Sequence, residues 1–226
     1  MNQSLSLTVD QLVQETPDAL LIYFRTEQIQ TFVPGQFLTL MVNIQGTTHR
    51  RSYSIFTDPA QLPQIGVCVK RLPGGLVSNH LLDHLKEGDR MDVLPPYGNF
   101  ALDPALPTLP SLVLVGAGSG ITPLFSMLSA TLRHPSAPLV QLIYGSRRAN
   151  EVIFGEALNR LQNEYPQRLQ VLHCLSRSLE GQESLKGLHH HGRIDTTVFA
   201  QHISNREASF YLCGPEGLVH DTEHWL

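Results

Sequence analysis

From Leu5 to about Leu102 the apolar positions come in short runs, among them Ala19 to Phe24, Gln36 to Val42 and Ile65 to Val69, separated by proline, glycine and aspartate. Runs of that length between such breakers read as β-strands, and many in succession predict an antiparallel barrel or sandwich. One interruption has helical spacing. Val77, Leu81, Leu82 and Leu85 fall on one face just after Gly74-Gly75, with Ser78 near the start as a possible cap. The run from Asp103 to Pro110, DPALPTLP, holds three prolines. It can continue neither a sheet ladder nor a helix interior, and it divides the chain into domains at 1–105 and 110–226.

Beyond the prolines the rhythm changes. Ser111 to Val115, Leu139 to Tyr144, Leu169 to Leu175 and Ser209 to Cys213 are near-continuous β runs. Helical spacing fills Leu124 to Arg133, Glu156 to Tyr165 and Thr196 to His202. Strands buried on both faces in alternation with helices predict a parallel α/β sheet.

Composition narrows the function classes. Of 226 residues, 42% are hydrophobic and 16% charged, enough for a core and too little charge for disorder. Lys plus Arg number 16 against 20 Asp plus Glu, a net charge of -4 that lacks the basic excess used on phosphate backbones, so no nucleic-acid partner is expected. No apolar stretch reaches the roughly 18 residues of a membrane span, and Met1-Asn2-Gln3-Ser4 lacks the charged start and apolar core of a signal peptide. A cytoplasmic protein without a membrane span is expected. Cys68, Cys174 and Cys213 are far apart and match no CxxC spacing, which points to free thiols rather than disulfides or an iron-sulfur site. His189-His190-His191 reads as a solvated loop, because three consecutive side chains cannot all face one ion, and no metal site is expected.

The sharpest chemical feature is Leu112 to Val115 running straight into Gly116-Ala117-Gly118-Ser119-Gly120-Ile121-Thr122-Pro123 and a helix. Such a loop lets backbone N–H groups and the positive end of the helix approach a pyrophosphate, although a tight strand-to-helix turn has the same composition. It is not a strict GxGxxG, since Ile121 stands where the last glycine belongs. The next strand ends in Tyr144-Gly145-Ser146-Arg147-Arg148 with no acid directly after it. A hydroxyl beside guanidiniums suits an adenosine 2′-phosphate, hence NADP over NAD, the plainer alternative being surface charge. The last β run breaks at Cys213-Gly214-Pro215, at the strand edge where such sheets bind ligands. In the first half, Arg51 and Tyr53 project to one face of a strand and Ser52 and Ser54 to the other. Val67-Cys68-Val69-Lys70 is followed by Pro73-Gly74-Gly75-Leu76-Val77-Ser78, a second glycine-rich entry into a helix.

Taken in order these segments resemble the ferredoxin-NADP reductase family of flavoenzymes over nearly the whole chain. Arg51-Ser52-Tyr53-Ser54 matches the family's RxYS motif, Gly74 to Ser78 its GGxxS motif, and Pro34-Gly35-Gln36-Phe37 its PGQ-aromatic segment. Pro96 to Phe100 matches PxGxF, Gly116 to Pro123 the nicotinamide-nucleotide loop, and Cys213-Gly214-Pro215 the CGP motif. The resemblance implies an antiparallel β-barrel flavin-binding domain followed by an α/β parallel-sheet nucleotide-binding domain.

It also implies roles. Arg51 would pair with the FAD pyrophosphate, Tyr53 lie against the isoalloxazine and Ser54 sit near flavin N5, with Ser52, Val67, Val69 and Lys70 beside them and Gly74, Gly75, Leu76, Val77 and Ser78 holding the phosphates. Gly116, Gly118 and Gly120 would take the NADP or NAD pyrophosphate, and Ser146 and Arg147 the adenosine end. Thr122 and Pro123 would lie close to the nicotinamide, with Cys213, Gly214 and Pro215 where its C4 meets N5. Ser54 and Cys213 are the expected catalytic positions for hydride transfer from NADPH to FAD and onward one-electron transfer. The acceptor would be a ferredoxin-type domain, an oxygenase component or a flavodoxin. A flavin-binding electron-transfer or redox-sensing subunit without turnover of its own is the alternative.

The nearest resemblance is to bacterial oxygenase reductases, including those joined to a plant-type ferredoxin domain. The family chain continues past the CGP helix to a last strand, whereas this one stops at Trp225-Leu226, which implies a fragment. The plant-type C-x₄-C-x₂-C pattern is absent, so any cluster is expected on a further domain or a separate partner.

Overall fold

The computed structural model describes residues 4–103, 111–136 and 138–226. The chain groups into two compact units, Met1–Leu102 with Phe125–Ala130 and Asp103–Leu124 with Thr131–Leu226. All but Asp103 of the proline-rich boundary lies outside the described residues.

The first unit holds six antiparallel strands: β1 (Leu5–Thr16), β2 (Ala19–Arg25), β3 (Phe37–Ile44), β4 (Thr47–Ser54), β5 (Gln64–Lys70) and β6 (Arg90–Tyr97), in the order β4-β3-β6-β1-β2-β5. The chain leaving β4 meets β5 at the Ile55–Val67 bridge, and Phe56 N–H donates to the Gly66 carbonyl at 3.0 Å. That closes the sheet on itself, so the unit is a barrel and not a sandwich. The turn from β3 to β4 places Gln45 and Gly46 at φ 51° and 82°, the left-handed pair that suits a two-residue hairpin. Inward residues Leu7, Ile22, Phe24, Leu38, Leu40, Ile65 and Val67 form the core, each contributing on the order of 1.5–3 kcal/mol by leaving water. Helix α1 (Leu76–His84) lays Val77 and Leu81 on that core.

The second unit is a five-stranded, wholly parallel sheet. Its elements are β7 (Ser111–Ala117), the two ends of α2 (Ile121–Arg133), whose Phe125–Ala130 group with the first unit, β8 (Leu139–Ser146), α3 (Gly155–Glu164), β9 (Leu169–Leu175), β10 (Leu188–His191), α4 (Thr196–His202), β11 (Ser209–Cys213) and α5 (Glu216–Trp225). The strand order β10-β9-β8-β7-β11 means that the chain works outwards from β7, then returns to add β11 on the other side. The carboxyl ends of β7 and β11 therefore flank the point where the winding reverses, the place where open α/β sheets bind ligands. Pro123 falls in the first turn of α2, where its missing N–H costs no helical bond. Trp225 fixes α5, its ring 5.4 Å from Phe199 and beneath the Arg206 guanidinium at 4.1 Å.

Two local expectations are corrected. His189–His191 belongs to edge strand β10 rather than a loop, paired in parallel with His173 to Leu175 of β9 and still largely exposed. Ser78 does not cap α1. The cap is Gly75, without a side-chain bond, and Ser78 Oγ instead accepts from Leu72 N–H at 3.2 Å, which holds the incoming loop.

Candidate functional site

Strand β4 carries the RxYS residues opposite β3. Leu40 pairs with Arg51, Thr39 with Ser52, Leu38 with Tyr53 and Phe37 with Ser54. Arg51 and Tyr53 thus share one face, and on the other the hydroxyls of Thr39 and Ser52 lie 3.0 Å apart. Tyr53 rests one side on the barrel core, and burial pushes its phenol up from its ordinary pKa while the Arg51 charge opposes. Arg51 is exposed, its Nη1 donates to the Arg50 carbonyl, and no described carboxylate pairs with it. A guanidinium left in this way is suited to a phosphate.

Beyond β5, Gly74 takes φ +70° with open space where a side chain would stand. Gly75 caps α1 and leaves its first-turn N–H groups without a side-chain acceptor. A second anion-binding feature therefore stands in the same unit as Arg51. Val67 and Val69 are completely buried and Val77 nearly so, so their side chains belong to the core and only their backbone remains for a ligand. Lys70 is held by Asp18 at 3.2 Å. Leu76 is exposed at the loop. Tyr97, which the motif reading did not single out as a site residue, is a largely exposed ring edge-on to Phe37 at 6.1 Å. Gln36 ties the two aromatic loops, accepting from Val33 N–H at 2.9 Å and donating to the Gly98 carbonyl at 3.4 Å.

In the second unit, residues 116–120 turn sharply from β7 into α2 with Gly118 at φ +56° and nothing within 4 Å of its open side. A side chain on Gly120 would run into the Cys213 carbonyl, and one on Gly116 would lie 2.7 Å from Leu124 Cδ1. Both glycines are needed for the close approach of the loop to β11 and α2. Thr122 Oγ1 is turned back to the Ser119 carbonyl at 2.8 Å. Cys213 and Gly214 border the same loop, and burial pushes the Cys213 thiol up, so it is neutral at pH 7. At the end of β8 the two arginines differ. Arg148 is paired with Glu151 at 3.2 Å, whereas Arg147 is exposed with no described carboxylate partner. Ser146 Oγ beside it is buried without a hydrogen-bond partner among the described residues, a bonding capacity that a phosphate oxygen would satisfy. These residues fit a dinucleotide phosphate site, and the β4 and α1 residues fit a flavin phosphate. Among the described residues no cluster of His, Cys, Asp or Glu could hold a metal ion.

Two family models match the chain. Residues 6–102 match the oxidoreductase FAD-binding domain, and residues 114–224 the oxidoreductase NAD-binding domain. The chain belongs to the FAD- and NAD-binding oxidoreductases. It is 36% identical over 230 residues to one of the subunits of the 1,2-phenylacetyl-CoA epoxidase of Escherichia coli K12, covering 96% of this chain and 62% of that protein. It is also 36% identical over 231 residues to the ferredoxin reductase component of 3-ketosteroid-9-alpha-monooxygenase from Rhodococcus rhodochrous, covering 99% and 60%. The chain thus spans about three-fifths of the length of these two relatives. In fold it is similar to a ferredoxin NADP+ reductase from Neisseria gonorrhoeae with bound FAD and NADP, with a TM-score of 0.82, 20% identity, and 100% and 91% of the two chains covered. Among the described residues no helix is long and apolar enough to cross a membrane.

Proposed function

We propose that this chain is the reductase module of a two-component redox system, taking electrons from NADPH in preference to NADH and passing them to an iron-sulfur or other redox protein. The observation that carries the reading is the reversal point of the parallel sheet, where a glycine loop closes against Cys213-Gly214 with an arginine lacking a described carboxylate partner and an orphan serine hydroxyl on the adjoining strand. Bound FAD would supply the conversion of a two-electron hydride into single electrons, chemistry no side chain offers. The protein's own work is placement. Arg51 and the α1 N-terminus neutralise flavin phosphates, Tyr53 offers a flat, half-buried ring face, and Ser54 borders it. Gly116 to Gly120 present backbone N–H groups, Ser146 and Arg147 read the adenosine 2′-phosphate, and the neutral Cys213 thiol shapes the nicotinamide position without proton transfer.

The names of the relatives support an oxygenase component or ferredoxin-type protein as the acceptor. The three cysteines of this chain match no iron-sulfur spacing, which fits an acceptor centre carried on another domain or protein. The three free thiols fit a reducing cytoplasm. An absorption spectrum of the purified chain with FAD, followed by anaerobic NADPH and separately NADH, tests the reading. Flavin bands that bleach faster with NADPH are expected. A chain that stays colourless after incubation with FAD overturns the proposal.

A further inference from the structure

Tyr144 is completely buried in the middle of the parallel sheet, level with Gly116 of β7 and His173 of β9. Its hydroxyl nevertheless reaches the edge. It donates to the Gly118 carbonyl at 3.0 Å and accepts from Ile153 N–H at 3.3 Å. Gly118 opens the phosphate turn at φ +56°, and its carbonyl also accepts from Ile121 N–H at the end of the short turn Gly118–Gly120, so the Tyr144 hydroxyl reinforces a hold that the backbone already makes. A trans peptide points its carbonyl and its N–H in opposite directions. A Gly118 carbonyl held down towards Tyr144 therefore turns the Ser119 N–H away from the sheet, to the ligand side of the loop. The next peptide repeats the arrangement, since Thr122 Oγ1 holds the Ser119 carbonyl at 2.8 Å and so turns out the Gly120 N–H. With the carbonyls rotated outwards, the loop would offer lone pairs to an anion instead of N–H groups.

We propose that the Tyr144 hydroxyl is a positioning group for nucleotide binding. It latches the Gly118–Ser119 peptide with its N–H facing the pyrophosphate, and through Ile153 ties that loop to the Arg147–Phe154 segment at the adenosine end. The inference rests on the nucleotide reading given above and deepens it. It also accounts for a phenol in a strand whose neighbouring buried residues, Leu142 and Ile143, are aliphatic.

The test compares the flavin-loaded wild-type chain with Tyr144→Phe, which keeps the ring and removes only the oxygen. The dissociation constant for NADP+ and the KM for NADPH are expected to rise about tenfold, the scale of one hydrogen bond that sets an anion site, with kcat at saturation, FAD content and melting temperature unchanged. An unchanged NADP+ affinity overturns the proposal, and so does an affinity loss matched by a collapse in melting temperature, which would make the hydroxyl a matter of folding alone. A second measurement needs no variant: NADP+ should slow hydrogen exchange at the Ser119 and Gly120 amides of the wild-type chain, and exchange that does not slow overturns the latch. A wild-type chain that does not bind NADP+ defeats the nucleotide reading and this inference together, whereas wild-type binding with an indifferent Tyr144→Phe defeats only the inference.

Discussion

A side-chain carbon on Gly120 would stand 2.6 Å from the carbonyl carbon of Cys213, and nearer still to its oxygen. The obstacle is backbone, which cannot swing aside as a long side chain can. Gly120→Ala is expected to lose about 3 kcal/mol of stability, the upper end of ordinary overpacking, and to abolish tight nucleotide binding. Gly118 gives the contrast, since its open side is empty and its only penalty is a φ of +56°. Gly118→Ala should cost about 1 kcal/mol. Denaturant unfolding of the two variants decides: equal losses would mean that loop conformation, not contact with β11, is what Gly120 protects.

Arg147 and Arg148 are neighbours in sequence with different electrostatic circumstances. Arg148 is already engaged by Glu151, while Arg147 has no described counter-charge and lies next to the orphan Ser146 hydroxyl. Arg147→Ala is therefore expected to raise the KM for NADPH by roughly 10- to 100-fold, the value of a charge-assisted phosphate contact, with little effect on NADH. Arg148→Ala should change either cofactor by less than about threefold. Steady-state kinetics with both nucleotides checks this, and equal losses for NADPH and NADH in Arg147→Ala would remove the 2′-phosphate assignment.

Cys213 ends β11 at the carboxyl edge of the parallel sheet, with a thiol raised above its ordinary pKa by burial. A group whose folded pKa is raised stays protonated through neutral pH, so no thiolate participates. Cys213→Ala and Ser54→Ala are each expected to slow anaerobic flavin reduction more than about tenfold, or about 1.4 kcal/mol of barrier, by loosening placement. In stopped-flow measurements the wild-type rate should show no thiol titration between about pH 6 and 8, a window chosen below the ordinary thiol pKa. A rising limb in that range that vanishes in Cys213→Ala would assign the thiol a chemical role instead.

The two-part character of the chain is legible because its apolar periods differ. Ala19 to Phe24 and Ile65 to Val69 are short and broken, Leu112 to Val115 and Leu169 to Leu175 continuous, and these runs form barrel and parallel strands in the expected halves. The glycine turns at residues 74–75 and 116–120 are legible because glycine at a left-handed or close-packed position has few substitutes. What pattern cannot supply is pairing. Three consecutive histidines carry no alternation of polarity, and Leu188–His191 becomes a strand only because β9 offers its edge. Val67 and Val69 belong to the motif's ligand neighbours, yet closure of the barrel at Ile55–Val67 turns them inward. Tyr144 reads in sequence as one more apolar strand residue, since the partner of its hydroxyl is 26 positions away.

His173 supplies an acid-stability prediction. The side chain is fully buried on β9, neither ring nitrogen has a hydrogen-bond partner among the described residues, and its ring stacks on His189 at 5.8 Å. Burial, and secondarily the His189 charge, holds its pKa down to about 4 from the ordinary 6.5. The Lys186 carbonyl opposes this shift in smaller measure. Because the folded pKa is depressed, the unfolded chain takes the proton first as the pH drops. Stability from this group is complete above about pH 6.5 and is lost progressively down to about pH 4, by up to about 3 kcal/mol. His173→Leu should remove most of that slope while leaving stability at pH 8 within about 1 kcal/mol, because a buried imidazole without partners contributes little beyond its volume. Unfolding midpoints measured at about pH 8, 6 and 4.5 give the comparison, and parallel curves for the two proteins would show that the acid sensitivity lies elsewhere.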